Sequence, residues 1–105
     1  MNTEQQDILR AKVNLETSLI AWKELQRFFA TGAAIHVSSR LDLVEVAFQL
    51  HLDNKSQVES WLGTGMIGKV TDDQAAAWID NDSEVWAVVV SPWVLIQEVR
   101  TVAEQ

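Results

Sequence analysis

The stretch VWAVVVSPWVLIQEV, residues 85–99, decides the fold of this chain of 105 residues. It is almost continuously apolar, is rich in β-branched and aromatic residues, and is interrupted by Pro92. A membrane-spanning helix needs about 20 apolar residues, so this run is too short and is broken in its middle. The pattern is typical of two consecutive buried strands joined at Ser91-Pro92. The stretch holds no histidine and no cysteine, so it indicates packing rather than chemistry.

Length and composition predict one globular domain that spans residues 1–105. Hydrophobic residues make up 48% of the chain and charged residues 22%, as in ordinary globular proteins. There is no cysteine, which excludes a disulfide scaffold, a thiolate zinc site and a cysteine nucleophile. The first seven residues are polar and acidic and lack the pattern of a signal peptide. We therefore expect a soluble, cytoplasmic protein.

The balance of charges limits the partners of the chain. It has 8 basic and 15 acidic residues, a formal net charge of -7, and its basic residues form no run. Binding to nucleic acid or to an anionic membrane depends on clustered lysine and arginine. We therefore expect neither nucleic acid nor a membrane as a partner, and the excess of acid favours solubility.

Capping signals and apolar spacing predict several helices. Thr3 to Gln6 have the spacing of a capping box, which predicts a first helix from about Glu4 to about Asn14. An apolar stripe predicts a second helix that ends at Gly32; it consists of Trp22, Leu25, Phe28 and Phe29. Residues 54–57 and 71–74 carry the capping patterns of two later helices, the first of which ends at Gly63.

Residues 33–38 are predicted to form a short strand with Ile35 and Val37 on one face. Residues 43–52 fit two structures. Apolar and other residues alternate strictly from Val44 to Leu52, which favours a half-buried strand paired with residues 33–38. Asp42 could instead cap a helix with an apolar face. The strand is the prediction, and the helix remains the alternative.

Together these elements predict an α+β fold. It would have N-terminal helices, a small and largely antiparallel sheet of about 3–4 strands, and two further helices packed on the sheet.

Two loops resemble ligand-binding motifs without meeting their requirements. Residues 63–69, GTGMIGK, contain G-x-G-x-x-G, but a predicted helix precedes the glycines and an extended segment follows them. Phosphate loops need a strand before the glycines and a helix after them. Residues 80–84, DNDSE, start like a calcium loop, but Val85 replaces its glycine and Ser91 its glutamate. We interpret both segments as turns and expect no cofactor.

The candidate catalytic residues are three acids and one histidine. Asp42, Glu45 and Glu98 lie in or beside apolar runs, where carboxylates with shifted pKa values could form a site with His36. The predicted pairing puts His36 opposite the region of Glu45. It separates His36 from His51 by roughly 20 Å, so that the two histidines cannot share a metal. Each acid also fits the solvent face of a strand.

Five tryptophans are many for a domain of this size. Most of them fit apolar stripes of the core, but tryptophan is also enriched at protein interfaces. We predict Trp61, at a helix end, and Trp93, beside Pro92, as interface residues.

The chain resembles an uncharacterised bacterial family, domain of unknown function 2288. The resemblance covers most of the chain and is carried above all by Pro92-Trp93-Val94-Leu95 with Gln97-Glu98, and by the stretch LDLVEVA at residues 41–47. It implies a small, soluble, cytoplasmic bacterial protein and brings no activity, cofactor or catalytic residue.

The chain shows no catalytic constellation of residues but has a surplus of tryptophan. These two features favour a noncatalytic interaction module that binds itself or another protein. A sheet edge at residues 93–99 is the predicted dimer surface, because unpaired edges recruit partners. The alternative is a small enzyme or ligand-binding protein that uses the carboxylates Asp42, Glu45 and Glu98 with His36 in one pocket.

Overall fold

The computed structural model describes residues 2–99 and contains helices and strands in an α+β arrangement. The helices are α1 (Thr3–Glu16), a 3₁₀ helix (Trp22–Leu25), α2 (Gln26–Ala30), α3 (Leu43–His51), α4 (Lys55–Gly63) and α5 (Asp72–Asp80). The strands are β1 (Ser18–Ala21), β2 (Ala34–Val37), β3 (Ile67–Lys69), β4 (Glu84–Val90) and β5 (Trp93–Glu98).

One five-stranded sheet with the order β1-β4-β5-β2-β3 forms the middle of the molecule. Neighbouring strands run antiparallel except β5 and β2, which run parallel. The prediction of a largely antiparallel sheet of fewer strands was therefore approximately right. The predicted dimer edge at residues 93–99 is corrected, because β5 lies between β4 and β2 and the described edges are β1 and β3.

Two buried clusters hold the sheet between helical layers. The first contains Val13 of α1 and Val46 of α3 packed on the sheet at Leu95, and α4 adds Val58; we call this side of the sheet the α3 face. The second contains Trp22 and Trp78 together with sheet residues; we call it the α5 face. Alternate residues of each strand point to opposite faces, which is why the apolar run in β4 and β5 is nearly continuous.

The strand predicted at residues 43–52 is wrong, and the alternative, a helix, is present as α3. Asp42 Oδ1 accepts hydrogen bonds from the backbone N–H groups of Val44 at 2.9 Å and Glu45 at 3.4 Å, which caps the helix. Apolar residues stand at both helical and strand spacing here, so periodicity could not decide. The cap decides in favour of the helix, and the predicted pairing of this segment with residues 33–38 does not exist; β2 pairs with β3 and β5.

The N-terminal region also differs in detail from the prediction. α1 begins one residue earlier than expected, and its capping box joins Asn2 and Gln5. The predicted second helix is a 3₁₀ turn followed by the short α2, and a strand that was not predicted, β1, precedes it. Its backbone pairs with β4, so a contact distant in sequence determines its conformation. The turn at Gly32 has φ +78°, a conformation suited to glycine, as predicted for a helix end.

The two later helices and the hairpin at Pro92 are confirmed. Asn54 caps α4 and Thr71 forms a complete capping box with Gln74 at α5. β4 and β5 pair directly across the turn at Ser91-Pro92, whose peptide bond is cis. Between α4 and α5, the chain turns at residues 63–66 and enters β3. The segment 63–69 is therefore the end of a helix followed by a turn and a strand, as we interpreted it.

Candidate binding surface

The four candidate catalytic residues lie in two separate pairs. His36 on β2 and Glu98 on β5 form one pair on the α5 face, with Nε2 and Oε1 3.3 Å apart. The His36 ring also lies near the ring of Trp78, with centroids 6.1 Å apart. Asp42 is the cap residue before α3 and Glu45 lies in its first turn, and α3 covers the other face of the sheet. The sheet therefore separates the pairs, and they do not converge in one pocket.

Asp42 and Glu45 take part in contacts that hold helices together. Asp42 is the N-cap of α3. The Glu45 carboxylate accepts a hydrogen bond from the Arg10 guanidinium of α1 and another, at 2.7 Å, from Gln49 Nε2 one turn further along α3. Gln49 Oε1 in turn accepts from Asn54 Nδ2, at 2.8 Å, and Asn54 caps α4. This chain of polar contacts connects α1, α3 and α4.

Hydrogen bonding lowers the pKa of Glu45. The largest cause is the hydrogen bond from Gln49, followed by the hydrogen bond from Arg10, and partial burial opposes them by raising the pKa. A carboxyl group with a lowered pKa is a poor general base near neutral pH, because it holds protons weakly. We therefore interpret the polar contacts of Glu45 as contacts that stabilise the packing of α1, α3 and α4.

Exposed apolar side chains indicate where the molecule could bind. The predicted interface residue Trp93 is 37% exposed. The other predicted residue, Trp61, is half-buried and packs against the core on the α3 face. Trp86, which the sequence did not single out, is 39% exposed and lies beside β1. Leu19, opposite Trp86 in the ladder, is 42% exposed.

Trp93 contributes to an apolar groove of about 230 Å³ on the α3 face. Residues of three strands and two helices line it: Ile35, Leu50, Val58, Leu62, Ile67, Lys69, Trp93 and Leu95. Lys69 is the single charged residue among these lining residues. Trp93 was singled out from the sequence but Leu62 was not, and Lys69 lies in the segment 63–69 that was interpreted as a turn; the fold alone brings the three side chains together.

Within the part of the chain that the structure describes, no group of three or more His, Asp or Glu side chains could hold a metal ion. Across residues 2–99, no helix is both long and apolar enough to cross a membrane.

The fold and surface define a small α+β domain with a sheet covered on both faces and apolar side chains at its rim. The chain belongs to the family described as Protein of unknown function (DUF2288), whose model matches residues 8–98. It is similar to the NMR solution structure of PA1075 from Pseudomonas aeruginosa, with 48% identity and a TM-score of 0.78. That match covers 96% of this chain and 94% of the other. Among curated proteins none matches, and neither similarity found indicates a catalytic activity.

Proposed function

We propose that this protein is a noncatalytic interaction module that pairs with a second copy of itself along β1. The observation that carries the proposal is the open backbone of this edge strand. Among the described residues, β1 pairs with β4 on one side and with no strand on the other. An open edge is a template for another strand.

The hydrogen-bond pattern identifies which backbone groups of β1 are free to pair. Trp22 N–H donates to Ser83 O at 2.9 Å, in the same register that joins Ser18–Ala21 to β4. In an antiparallel ladder, hydrogen-bonded and non-hydrogen-bonded positions alternate. Ser18 and Ile20 therefore bond to β4, whereas the N–H and C=O groups of Leu19 and Ala21 point away from the sheet.

The side chains on this edge favour association. All residues of β1 are uncharged, and Leu19 lies beside Trp86, with both side chains about two-fifths exposed. The opposite edge, β3, is shorter and ends in Lys69. Short edges and lysine are the devices by which proteins discourage edge pairing, and β1 lacks the lysine.

These constraints define the proposed dimer. Outward-pointing groups must meet outward-pointing groups. The register that uses both Leu19 and Ala21 of each copy pairs Leu19 of one copy with Ala21 of the second copy, and the reverse. A twofold axis then passes at Ile20, as in an isologous dimer. The two sheets become continuous, and Leu19 and Trp86 of each copy lie at the junction.

The test compares two variants in sedimentation velocity over a concentration series that reaches high micromolar. Leu19→Lys puts a charge on the edge, and we expect it to shift a dimeric wild type to monomer. Val89→Lys is the matched control, because Val89 is 58% exposed on β4 but outside the β1 pairing. It should leave the dimer intact. A wild type that is monomeric throughout, or a dimer that withstands Leu19→Lys, would contradict the proposal.

The alternative, an enzyme or ligand-binding protein built on Asp42, Glu45, Glu98 and His36, has less support because these side chains lie on opposite faces of the sheet. The proposal includes a cytoplasmic location, for which the support is the cysteine-free composition.

A further inference from the structure

We propose that the groove on the α3 face binds a small molecule with an apolar tail and a carboxylate head, a medium-chain carboxylic acid. The groove lies beside β3, the edge strand of the sheet opposite to β1. The inference is therefore independent of the proposed dimer.

The lining of the groove fits such a tail. Apart from Lys69, its lining residues are aliphatic or aromatic, and Trp93 and Leu62 stand at its rim, 37% and 52% exposed. Ligand sites are typically apolar hollows with few polar groups. An apolar cavity of about 150 Å³ holds benzene. Benzene has six carbons, so by proportion the 230 Å³ of this groove take a tail of up to about nine carbons.

Lys69 supplies the charge that a carboxylate head requires. Within residues 2–99, its side chain makes no ion pair and no hydrogen bond, although the protein carries a net charge of -7. Its ammonium lies beside the turn at Gly32, 3.5 Å from the position that a Cβ on Gly32 would take. A cation without a partner beside an apolar hollow attracts an anionic group.

Charges around the groove also orient the ligand. A neighbouring hollow shares Leu50 and Val58 with the groove and is lined further by Asp53, Lys55 and Glu59. Its acidic side chains disfavour a carboxylate at the end formed by α3 and α4. The tail therefore lies against Leu50 and Val58, and the head lies at Lys69.

The experiment is a titration with sodium octanoate, followed by the indole N–H resonances of the tryptophans and by methyl resonances in NMR spectra. We expect saturable shifts at Trp93 and Leu62 and none at Trp86, which lies outside the lining. An affinity in the millimolar range suits a ligand of this size. The uncharged 1-octanol should bind more weakly than octanoate.

Two lysine variants separate the charge from the apolar contacts. Lys69→Met should weaken octanoate binding by about threefold, the change expected for an exposed ion pair, and should leave 1-octanol unaffected. Lys55→Met removes the same charge outside the groove and should change neither affinity. Leu62→Ser should weaken both ligands, and Ile79→Ser on α5, exposed by 39%, should weaken neither.

The proposal is overturned if octanoate produces no saturable shift at Trp93. It is also overturned if octanol binds as tightly as octanoate, or if Lys55→Met weakens octanoate as much as Lys69→Met does. Failure of the dimer would appear in sedimentation and not in this titration, so the two results remain distinguishable.

Discussion

Arg10 of α1 donates a hydrogen bond to the carboxylate of Glu45 on α3, 35 residues further along the chain. The same guanidinium lies over the ring of Phe48, 4.1 Å from its centroid. Arginine thus joins the two helices by charge and by stacking at once. Glu45 carries the counter-charge, and its titration should be visible in the stability of the domain.

The first prediction concerns this titration. The pKa of Glu45 is lowered below its ordinary value of 4.5, so the carboxylate contributes stability that is fully present above pH 4.5 and is lost as pH falls through the folded-state pKa. Glu45→Gln should cost under about 1 kcal/mol near neutral pH, because both side chains of the pair are partly exposed. Urea unfolding at neutral pH and at low pH measures the difference. A loss of equal size at both pH values would rule out this role.

The second prediction concerns the cap of α3. Asp42→Ala removes the acceptor for the N–H groups of Val44 and Glu45 and should lower the free energy of unfolding by about 1 kcal/mol. Asp42→Asn keeps an acceptor and should stay close to the wild type. Chemical denaturation compares the three proteins. If alanine and asparagine behave alike, charge rather than capping is what Asp42 contributes.

The third prediction concerns Gln97, whose side-chain amide donates to two backbone carbonyls, Ser38 O at 2.8 Å and Leu41 O at 2.7 Å. These bonds hold the turn before α3 against β5. Gln97→Met leaves both carbonyls without this donor and should cost about 1–3 kcal/mol. Thermal unfolding provides the measurement.

A near-isosteric variant sharpens the test of Gln97. Gln97→Glu places a carboxylate against two carbonyl oxygens, which raises its pKa and should destabilise the domain at neutral pH more than methionine does. Acid should partly restore stability, because a protonated carboxyl can donate again. A Glu variant as stable as the wild type at neutral pH would show that the amide donor is dispensable.

The fourth prediction concerns tryptophan fluorescence. Trp22 and Trp78 are buried, whereas Trp86 and Trp93 are each more than one-third exposed. Acrylamide should quench the latter two, and Trp86→Phe and Trp93→Phe should each remove part of the quenchable signal. In the proposed dimer only Trp86 lies at the junction, so its quenching should fall as protein concentration rises. Equal protection of both residues would place the interface elsewhere.

Local signals in the sequence predicted the elements that carry their own determinants. Capping residues at Asn54 and Thr71 located α4 and α5, and the apolar run around Pro92 located β4 and β5. The apolar residues of 43–52 had both helical and strand spacing. Their alternation favoured the strand, which was wrong, whereas the cap at Asp42 indicated the helix that is present.

The parts that sequence reasoning missed depend on contacts distant along the chain. β1 is a strand because it pairs with β4, and β5 lies in the centre because it also pairs with β2. The groove likewise combines Leu62, Lys69 and Trp93 from three elements. Of these residues, only Trp93 was predicted to lie at a binding surface, because tryptophan is enriched at interfaces. His36 and Glu98 meet through the parallel pairing of β2 with β5, which no local pattern indicated.

The central position of β5 has a consequence for how the chain folds as it is synthesised. Before residues 93–98 emerge from the ribosome, β1 can pair with β4 and β2 can pair with β3, but no described strand joins these two halves. The sheet closes only when β5 enters between β4 and β2. Translation must therefore reach the last described strand before a single cooperative domain exists. Chains stopped short of it would present two additional open strand edges, those of β4 and β2, to the quality-control machinery of the cell.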